Sequence, residues 1–270
     1  MVTMDLELED MVAVVTGASQ GIGLATALTL RAEGARVVAV SRSISPELAA
    51  ALDDALVHVS ADLSTPDGPA RAVAAAVERF GRLDVLVNNA GGPPPGVSMP
   101  RFSFDQLDDD DWTAMLDFNV LSTVRAIRAA LPHLLERGGS IVNVSSTHAH
   151  VPSGVNVDYG VAKAGINNLT QALSEEFGPR GVRVNTVSPG PVRTPWWTKE
   201  GGAADVLAQA IGSDRDTVLD KSAAVMMNLT TGRLIDPQEI ADVIVLLASP
   251  RSASTTGSDV VVDAGLRKAV

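Results

Sequence analysis

The chain has 270 residues, of which 46% are hydrophobic, and it contains no cysteine. A chain of this length can bury a core large enough for one domain, and the lack of cysteine excludes disulfides, thiolate nucleophiles and cysteine-ligated metal sites. The net charge of −11 argues against a nucleic-acid partner, because binding to phosphates requires a basic surface.

The N-terminal segment is acidic and contains no long apolar run. It therefore lacks the features of a signal peptide or a membrane span. The missing cysteines also suit a reducing compartment. We predict a cytoplasmic protein with no membrane contact.

A strand predicted over 11–16 leads into a glycine-rich turn and then into an alanine-rich helix over 24–33. Glycines permit a tight turn and close approach of the backbone, and the start of a helix offers free N–H groups and a positive dipole end. The turn therefore predicts a pyrophosphate site, although an ordinary strand-to-helix loop would have the same pattern. The residues expected to contact the cofactor here are Gly17, Ser19, Gln20, Gly21, Ile22 and Gly23.

The second predicted strand covers 36–41 and runs into Ser41, Arg42 and Ser43. At this point in dinucleotide-binding folds, an acidic side chain binds the 2′-hydroxyl of NAD, whereas an arginine accommodates the 2′-phosphate of NADP. The acid is missing and the arginine is present. The sequence therefore favours NADP(H), with NAD(H) as the alternative cofactor.

Further strands are predicted over 56–60, 83–87, 140–144, 183–188 and 259–262. They alternate with helical stretches over 66–80, 110–136, 160–177 and 237–248. This alternation predicts a single α/β domain over residues 1–270, a Rossmann-type doubly wound parallel sheet of about seven strands with helices on both faces. Asp62 and Leu63 follow the third strand, where we expect the adenine to lie.

Tyr159, the only tyrosine of the chain, precedes Lys163 by four residues, so both side chains fall on one face of a helix. Lowering the pKa of a phenol from about 10 to about 7 requires about 4 kcal/mol, which an ammonium about 4 Å away supplies at an effective dielectric constant of about 20. We therefore predict that Lys163 poises Tyr159 as an acid/base at neutral pH. Ser146 follows the strand over 140–144 and offers a hydroxyl to the same substrate oxygen.

Two histidines, His148 and His150, stand in the loop between Ser146 and Tyr159. They are expected to line the substrate pocket, and exposure to solvent is the alternative. No carboxylates stand near them at ligand spacing, so no metal site is predicted.

The irregular segment 191–232 follows a Pro-Gly turn and is predicted to be a mobile substrate lid. Its two adjacent tryptophans, Trp196 and Trp197, are expected to close over an apolar substrate. Packing of these rings into a small core of the lid itself is the alternative.

Together these motifs resemble those of the short-chain dehydrogenase/reductase family. The resemblance covers about residues 11–266 and rests on Thr16–Gly23, Asn88–Gly91, Asn119, Ser146, Tyr159 with Lys163, and Pro189-Gly190 with Thr194. It implies reversible hydride transfer between NADP(H) or NAD(H) and a small-molecule carbonyl or secondary alcohol. It also implies a homo-oligomer, a tetramer or a dimer, assembled through the helices over 110–136 and 160–177.

The resemblance assigns a role to each site residue. Tyr159 would be the catalytic acid/base, Lys163 would lower its pKa and hold the nicotinamide ribose, and Ser146 would polarise the carbonyl. Asn119 would anchor a water that passes protons to Lys163. The other cofactor contacts that it implies are Asn89, Ala90, Gly91, Pro189, Gly190, Val192 and Thr194.

Gln20 departs from the family pattern, because many NADP-using members carry a basic residue in the glycine turn. The absence of that basic residue opposes the preference for NADP that Arg42 indicates.

The sequence leaves two other functions to compare with this one. A catalytically silent nicotinamide-binding regulatory protein would be favoured by loss of Tyr159, Lys163 or Ser146, all of which are present. An epimerase or dehydratase of the longer family branch has a different glycine spacing and a larger C-terminal substrate domain, neither of which occurs in this sequence.

Overall fold

A computed structural model of the chain describes residues 4–97 and 100–268. Its strands lie side by side in one parallel sheet, which confirms the predicted fold class. In chain order they are β1 (Val12–Thr16), β2 (Arg36–Ser41), β3 (Leu56–Ser60), β4 (Val85–Asn88), β5 (Gly139–Val144), β6 (Val182–Pro189) and β7 (Asp259–Val262). The order across the sheet is β3-β2-β1-β4-β5-β6-β7. The direction of winding therefore reverses between β1 and β4, and ligands of such sheets bind outside the carboxyl ends of the strands at this reversal.

Helices cover both faces of the sheet. Within the described residues they are α1 (Gly21–Ala32), α2 (Pro46–Ala51), α3 (Gly68–Phe80), α4 (Asp109–Leu116), α5 (Ser122–Arg137), α6 (Val157–Phe177), α7 (Pro195–Thr198), α8 (Ala203–Ile211), α9 (Arg215–Thr217), α10 (Ala223–Met226) and α11 (Pro237–Ala248). The short helix α2 was not predicted; the Ser45 hydroxyl accepts a hydrogen bond from the Leu48 N–H and caps its first turn. The helix predicted over 110–136 is interrupted by a π-helical turn over Asp117–Leu121.

The central strands bury both faces, which explains their nearly continuous apolar sequences, whereas the edge strands β3 and β7 are only partly buried. All residues of β1 are buried. Its alternate side chains pack into two apolar layers: Ala13 and Val15 belong to the layer that includes residues of α1 and α11, and Val12 and Val14 belong to the layer that includes residues of α3 and α5. Within the described residues, no helix is long and apolar enough to cross a membrane.

Candidate active site

The glycine turn joins β1 to α1 at the sheet reversal. Gly17 has a φ angle of +67°, a conformation that favours glycine. A Cβ on Gly23 would overlap the Gly17 carbonyl oxygen and Nδ2 of Asn89, so only glycine fits there. Asn89 follows β4 and its Nδ2 donates to the carbonyl oxygens of Thr16 (2.9 Å) and Gly17 (3.1 Å). The end of β4 therefore holds the turn in place.

The start of α1 is open to an anion. Gln20 precedes the helix and makes no side-chain capping hydrogen bond, so it leaves the N–H groups of the first turn without a capping acceptor. Thr194 borders this turn, since a Cβ on Gly21 would lie 2.9 Å from its Cγ2. Free N–H groups, the helix dipole and a backbone without Cβ atoms fit the pyrophosphate of a nicotinamide dinucleotide.

The segment between β6 and α7 is anchored beside this turn. The Gly190 N–H donates to the Val262 carbonyl (2.9 Å), directly after Pro189 ends β6. Val192 is buried and forms a parallel bridge with Ile235. These contacts fix the backbone that leads to Thr194.

The loop after β2 carries an exposed arginine, and hydrogen bonds hold the backbone of this loop in place. The buried Ser41 hydroxyl donates to the Ser43 carbonyl (2.8 Å) and lies 2.9 Å from Nε2 of His58. The Ser60 hydroxyl donates to the Arg42 carbonyl (3.1 Å). Ser41 thus stabilises the loop, while the exposed side chains of Arg42 and Ser43 are free to reach a ligand.

Asp62 and Leu63 follow β3 at the same corner of the sheet. The Ser64 hydroxyl (2.7 Å) and N–H (3.0 Å) donate to Oδ1 of Asp62. These hydrogen bonds, the hydroxyl first, hold the pKa of Asp62 below its ordinary value, and the charge of Arg42 acts in the same direction. Leu63 is buried. The pairing of Ser41 with Ser60 at the ends of β2 and β3 brings the segments of Arg42 and Asp62 side by side.

Asn119 lies in the π-helical turn between α4 and α5. Its Oδ1 accepts from the Gly92 N–H (2.8 Å), and its Nδ2 donates to the carbonyl oxygens of Gly92 (2.9 Å) and Met115 (3.1 Å). Wide turns of this kind often occur at functional sites. Asn119 thus fixes the backbone that follows β4, and nothing local in the sequence pointed to Gly92 as its partner.

Lys163 lies on α6 with its side chain buried. Its Nζ donates to the Val144 carbonyl at 2.9 Å. A Cβ on Gly91 would lie 2.8 Å from Nζ of Lys163 and 2.9 Å from Oδ1 of Asn119, so these two side chains meet beside Gly91. Burial lowers the pKa of Lys163 to about 8.

Tyr159 lies one turn before Lys163, whose Nζ is 5.6 Å from the phenol ring centroid. His148 packs edge-on against the same ring, with centroids 5.8 Å apart. Burial raises the pKa of Tyr159 to about 12, and a hydrogen bond with Ser146 acts in the opposite direction. The direction of this pKa shift is opposite to the one predicted from the charge of Lys163 alone. Burial disfavours the charged form of both groups, so it raises the pKa of Tyr159 and lowers the pKa of Lys163, which weakens the effect of the lysine charge.

His150 does not join this group. Its Nε2 lies 2.6 Å from Oδ2 of Asp259 and 3.2 Å from Nδ2 of Asn167. Asn167 lies on α6 about two helical turns after Tyr159. His150 is therefore engaged with the first residue of β7. The structure thus distinguishes the two histidines of the loop, and His148 is the one that contacts Tyr159.

The tryptophans lie in an apolar cluster of the lid segment. Trp197 is 8% exposed, and Trp196 packs edge-on against it with ring centroids 5.1 Å apart. The buried members of this cluster, called the lid core below, are Trp197, Ala204, Ala208, Val218, Leu219, Ala223, Ala224, Leu229 and Leu234. Trp197 therefore packs inside the lid, and only the half-buried Trp196 retains an exposed ring surface.

Comparisons with known proteins cover almost the whole chain. A family model described as enoyl-(acyl carrier protein) reductase matches residues 17–267. The chain is 38% identical to the short-chain reductase protein NovJ of Streptomyces niveus, over 95% of this chain and 94% of that protein. It is 32% identical to the 3-oxoacyl-[acyl-carrier-protein] reductase FabG of Vibrio cholerae serotype O1, over 97% and 99% of the two chains.

A solved structure agrees at the level of the fold. The L-sorbose reductase of Gluconobacter frateurii, in complex with NADPH and L-sorbose, superposes with a TM-score of 0.87 at 31% identity. The match covers 99% of this chain and 100% of that protein. Since these similarities extend over the sheet, the glycine turn and the helix of Tyr159 alike, the chain belongs to the short-chain dehydrogenase/reductase family of oxidoreductases.

Proposed function

We propose that this oxidoreductase interconverts a small-molecule ketone and the corresponding secondary alcohol, and that it prefers NADP(H) to NAD(H). The observation that carries the proposal is that the side chains of Lys163 and Asn119 meet beside Gly91, close to the glycine turn. Lys163 lies one helical turn from Tyr159. When bound, the nicotinamide supplies or accepts the hydride. The glycine turn and the start of α1 would hold its pyrophosphate.

The chain's own residues perform the proton chemistry. During reduction, the phenol of Tyr159 donates its proton to the oxygen that becomes the alcohol, and the Ser146 hydroxyl donates a hydrogen bond to the same oxygen. A phenol with a raised pKa keeps its proton until that oxygen becomes basic. The Nζ of Lys163 lies beside the ring of Tyr159 and would return a proton to the phenolate, and Lys163 would regain it from a water anchored by Asn119.

The test is turnover, followed by nicotinamide absorbance, of a panel of cyclic and linear ketones. Two relatives act, by name, on 3-oxoacyl carrier proteins and on L-sorbose, so the panel includes a 3-oxoacyl thioester and L-sorbose. We expect reduction of at least one ketone with NADPH. Nucleotide binding without turnover of any carbonyl would favour a silent nicotinamide-binding protein instead.

The cofactor preference depends on Arg42. Replacing Arg42 with Ala removes a charged donor to a phosphate, a loss of about 1.5–3 kcal/mol, and is expected to raise the Kd of NADP(H) at least about tenfold. The Kd of NAD(H) should hardly change. Both constants can be measured by quenching of tryptophan fluorescence, with Arg71→Ala on α3 as an exposed control. Equal dissociation constants for the two cofactors in the unmodified protein would refute the preference.

We infer that residues 191–232 act as a lid that moves as one unit. The Arg193 N–H donates to the Ile235 carbonyl (2.8 Å), and the Ile235 N–H donates to the Pro191 carbonyl (3.0 Å), so the two ends of the lid lie side by side. All members of the lid core except Leu234 lie within 191–232, so most of the packing is internal to the segment, and Ala264 and Leu266 pack against it from the C-terminal part of the chain. Such a unit can rotate about its paired ends while Trp196 covers the substrate.

Lid closure predicts slower amide hydrogen exchange within 191–232 when the oxidised nucleotide and an alcohol substrate are both bound. Closure buries the backbone of the lid, and local opening then becomes less frequent. Exchange in α3, which packs against the same sheet but is distant from the lid in sequence, serves as the internal reference. Identical exchange with and without the ligands would contradict the lid.

Assembly into a dimer or tetramer and a cytoplasmic location stay predictions of the sequence. The solvent-exposed leucines Leu116 and Leu121, at 36% and 43% exposure, lie on the helices through which the oligomer was predicted to form.

A further inference from the structure

One arginine outside the predicted site connects three parts of the chain. Arg101 lies in the segment between β4 and α4, and its Nη2 is 2.5 Å from Oδ2 of Asp158 on α6. Its Nη1 is 2.7 Å from Oδ1 of Asp111 in the first turn of α4, an ion pair without hydrogen-bond geometry. The Arg101 side chain is 12% exposed and that of Asp158 is fully buried. One guanidinium therefore joins the start of α4 to the start of α6.

The backbones at this point are joined as well. The Arg101 N–H donates to Oδ1 of Asn156 (2.7 Å), and the Asn156 N–H donates to the Arg101 carbonyl (2.8 Å). Asn156 precedes α6 with a φ angle of +56°, a conformation that asparagine tolerates better than most residues. Its side chain bonds Arg101 and does not cap the helix. We call Arg101, Asn156 and Asp158 the clamp.

The clamp holds the helical turn that carries Tyr159. Asp158 and Tyr159 are consecutive in the first turn of α6, and Lys163 lies one turn later. A buried carboxylate is costly unless it is paired. Arg101 donates a hydrogen bond to Oδ2 of Asp158, and its charge also faces Asp111 at ion-pair distance. A displacement of about 1 Å at a reacting group can reduce a rate about 100-fold.

We propose that Arg101 and Asp158 are positioning residues for catalysis: their buried ion pair fixes the first turn of α6 so that the Tyr159 phenol is held against Ser146 and Lys163. The ion pair touches neither the substrate nor the cofactor, and it acts through Tyr159. The inference rests on the proposed acid/base role of Tyr159.

The decisive variant is Arg101→Met/Asp158→Asn, which removes both charges together and leaves no buried ion without a partner. The phenolate absorbance of Tyr159, measured in the NADP⁺ complex, is expected to shift upward by about one pH unit as the phenol moves away from Lys163. Turnover of the best ketone of the panel is expected to fall at least about tenfold. The Kd of NADP⁺ should stay at the wild-type value, because the glycine turn lies elsewhere.

Arg82→Met is the matched control. Arg82 pairs with the buried carboxylate of Asp84 at 2.6 Å, directly before β4 and therefore at the amino ends of the strands, opposite the carboxyl ends that carry the site. This variant should lower the melting temperature and leave the phenolate transition unchanged. Arg101→Lys keeps the charge but loses the planar fork, so a smaller upward shift is expected, and this variant decides the question alone if the double variant does not fold.

A folded double variant with wild-type turnover and a wild-type phenolate transition would overturn the inference, as would an unchanged transition in Arg101→Lys. If the wild-type complex itself shows its transition at about 10 or above, the acid/base proposal fails instead, and the two failures are thereby distinguished.

Discussion

Replacing Tyr159 with Phe is expected to reduce turnover by about 10²- to 10⁴-fold, the usual contribution of a positioned acid/base. The variant keeps the ring that packs against His148 and removes only the hydroxyl that faces Ser146. Because the glycine turn holds the pyrophosphate, the Kd of NADP(H) should be nearly unchanged. Steady-state kinetics and fluorescence titration measure the two quantities separately.

Ser146→Ala provides the comparison for this result. It removes a hydrogen-bond donor to the same oxygen and leaves the phenol in place, so it should cost less than loss of the phenol itself. A Tyr159→Phe enzyme that retains wild-type turnover would show that another group transfers the proton.

Gly23→Ala is expected to weaken nucleotide binding at least about 100-fold, because hydrogen bonds to a charged group contribute about 1.5–3 kcal/mol each and the start of α1 offers more than one N–H donor. The added Cβ would overlap the Gly17 carbonyl and Nδ2 of Asn89, and the turn would have to open. The first N–H groups of α1 would then no longer point at the pyrophosphate. Fluorescence titration with NADP⁺ measures the loss.

Gly165→Ala is the matched control for this variant. Gly165 is exposed on α6, and a Cβ there would meet only Cγ2 of Val120 at an ordinary distance of 3.9 Å. Alanine in a helix interior also favours the helix by up to about 1 kcal/mol. The Kd of NADP⁺ should therefore be unchanged by Gly165→Ala, and an equally tight Gly23→Ala complex would show that the phosphates bind elsewhere.

The sheet was predictable because buried parallel strands have a direct sequence signal. The run Arg36–Ser41 contains mostly β-branched or small apolar residues, and it forms a strand at the predicted position. The π-helical turn at Asn119 was not predictable in this way. Its reason is the pair of hydrogen bonds to Gly92, 27 residues away along the chain, which has no local pattern.

The site was predictable where neighbours in sequence are neighbours in space. Tyr159 and Lys163 are related by one helical turn, so the spacing alone placed them together. Tertiary contacts determined the rest. His150 is bound to Asp259, 109 residues later, and the Arg101–Asp158 pair is 57 residues apart. Nothing in the sequence distinguished His150 from His148, or Trp197 from Trp196.

The strength of the Lys163 effect could not be estimated from spacing. The sequence argument used the attraction between two charges, and the structure adds the cost of removing both groups from water. Burial lowers the pKa of Lys163 to about 8 and raises that of Tyr159 to about 12. The ionised phenol is therefore expected only in the nucleotide complex, where the oxidised nicotinamide adds a positive charge.

The most direct test of this account is a spectrophotometric pH titration of Tyr159, whose phenolate absorbance needs no assignment because the chain has no other tyrosine. Tyr159→Phe serves as the blank. Lys163→Met, which keeps much of the bulk and removes the charge, should move the transition upward by about one to three units in the NADP⁺ complex. For the unmodified protein we predict a transition near neutrality in that complex and one far above it in the free protein. A transition at about 10 or above in the wild-type NADP⁺ complex would contradict the claim that Lys163 and the bound cofactor poise Tyr159 as the acid/base.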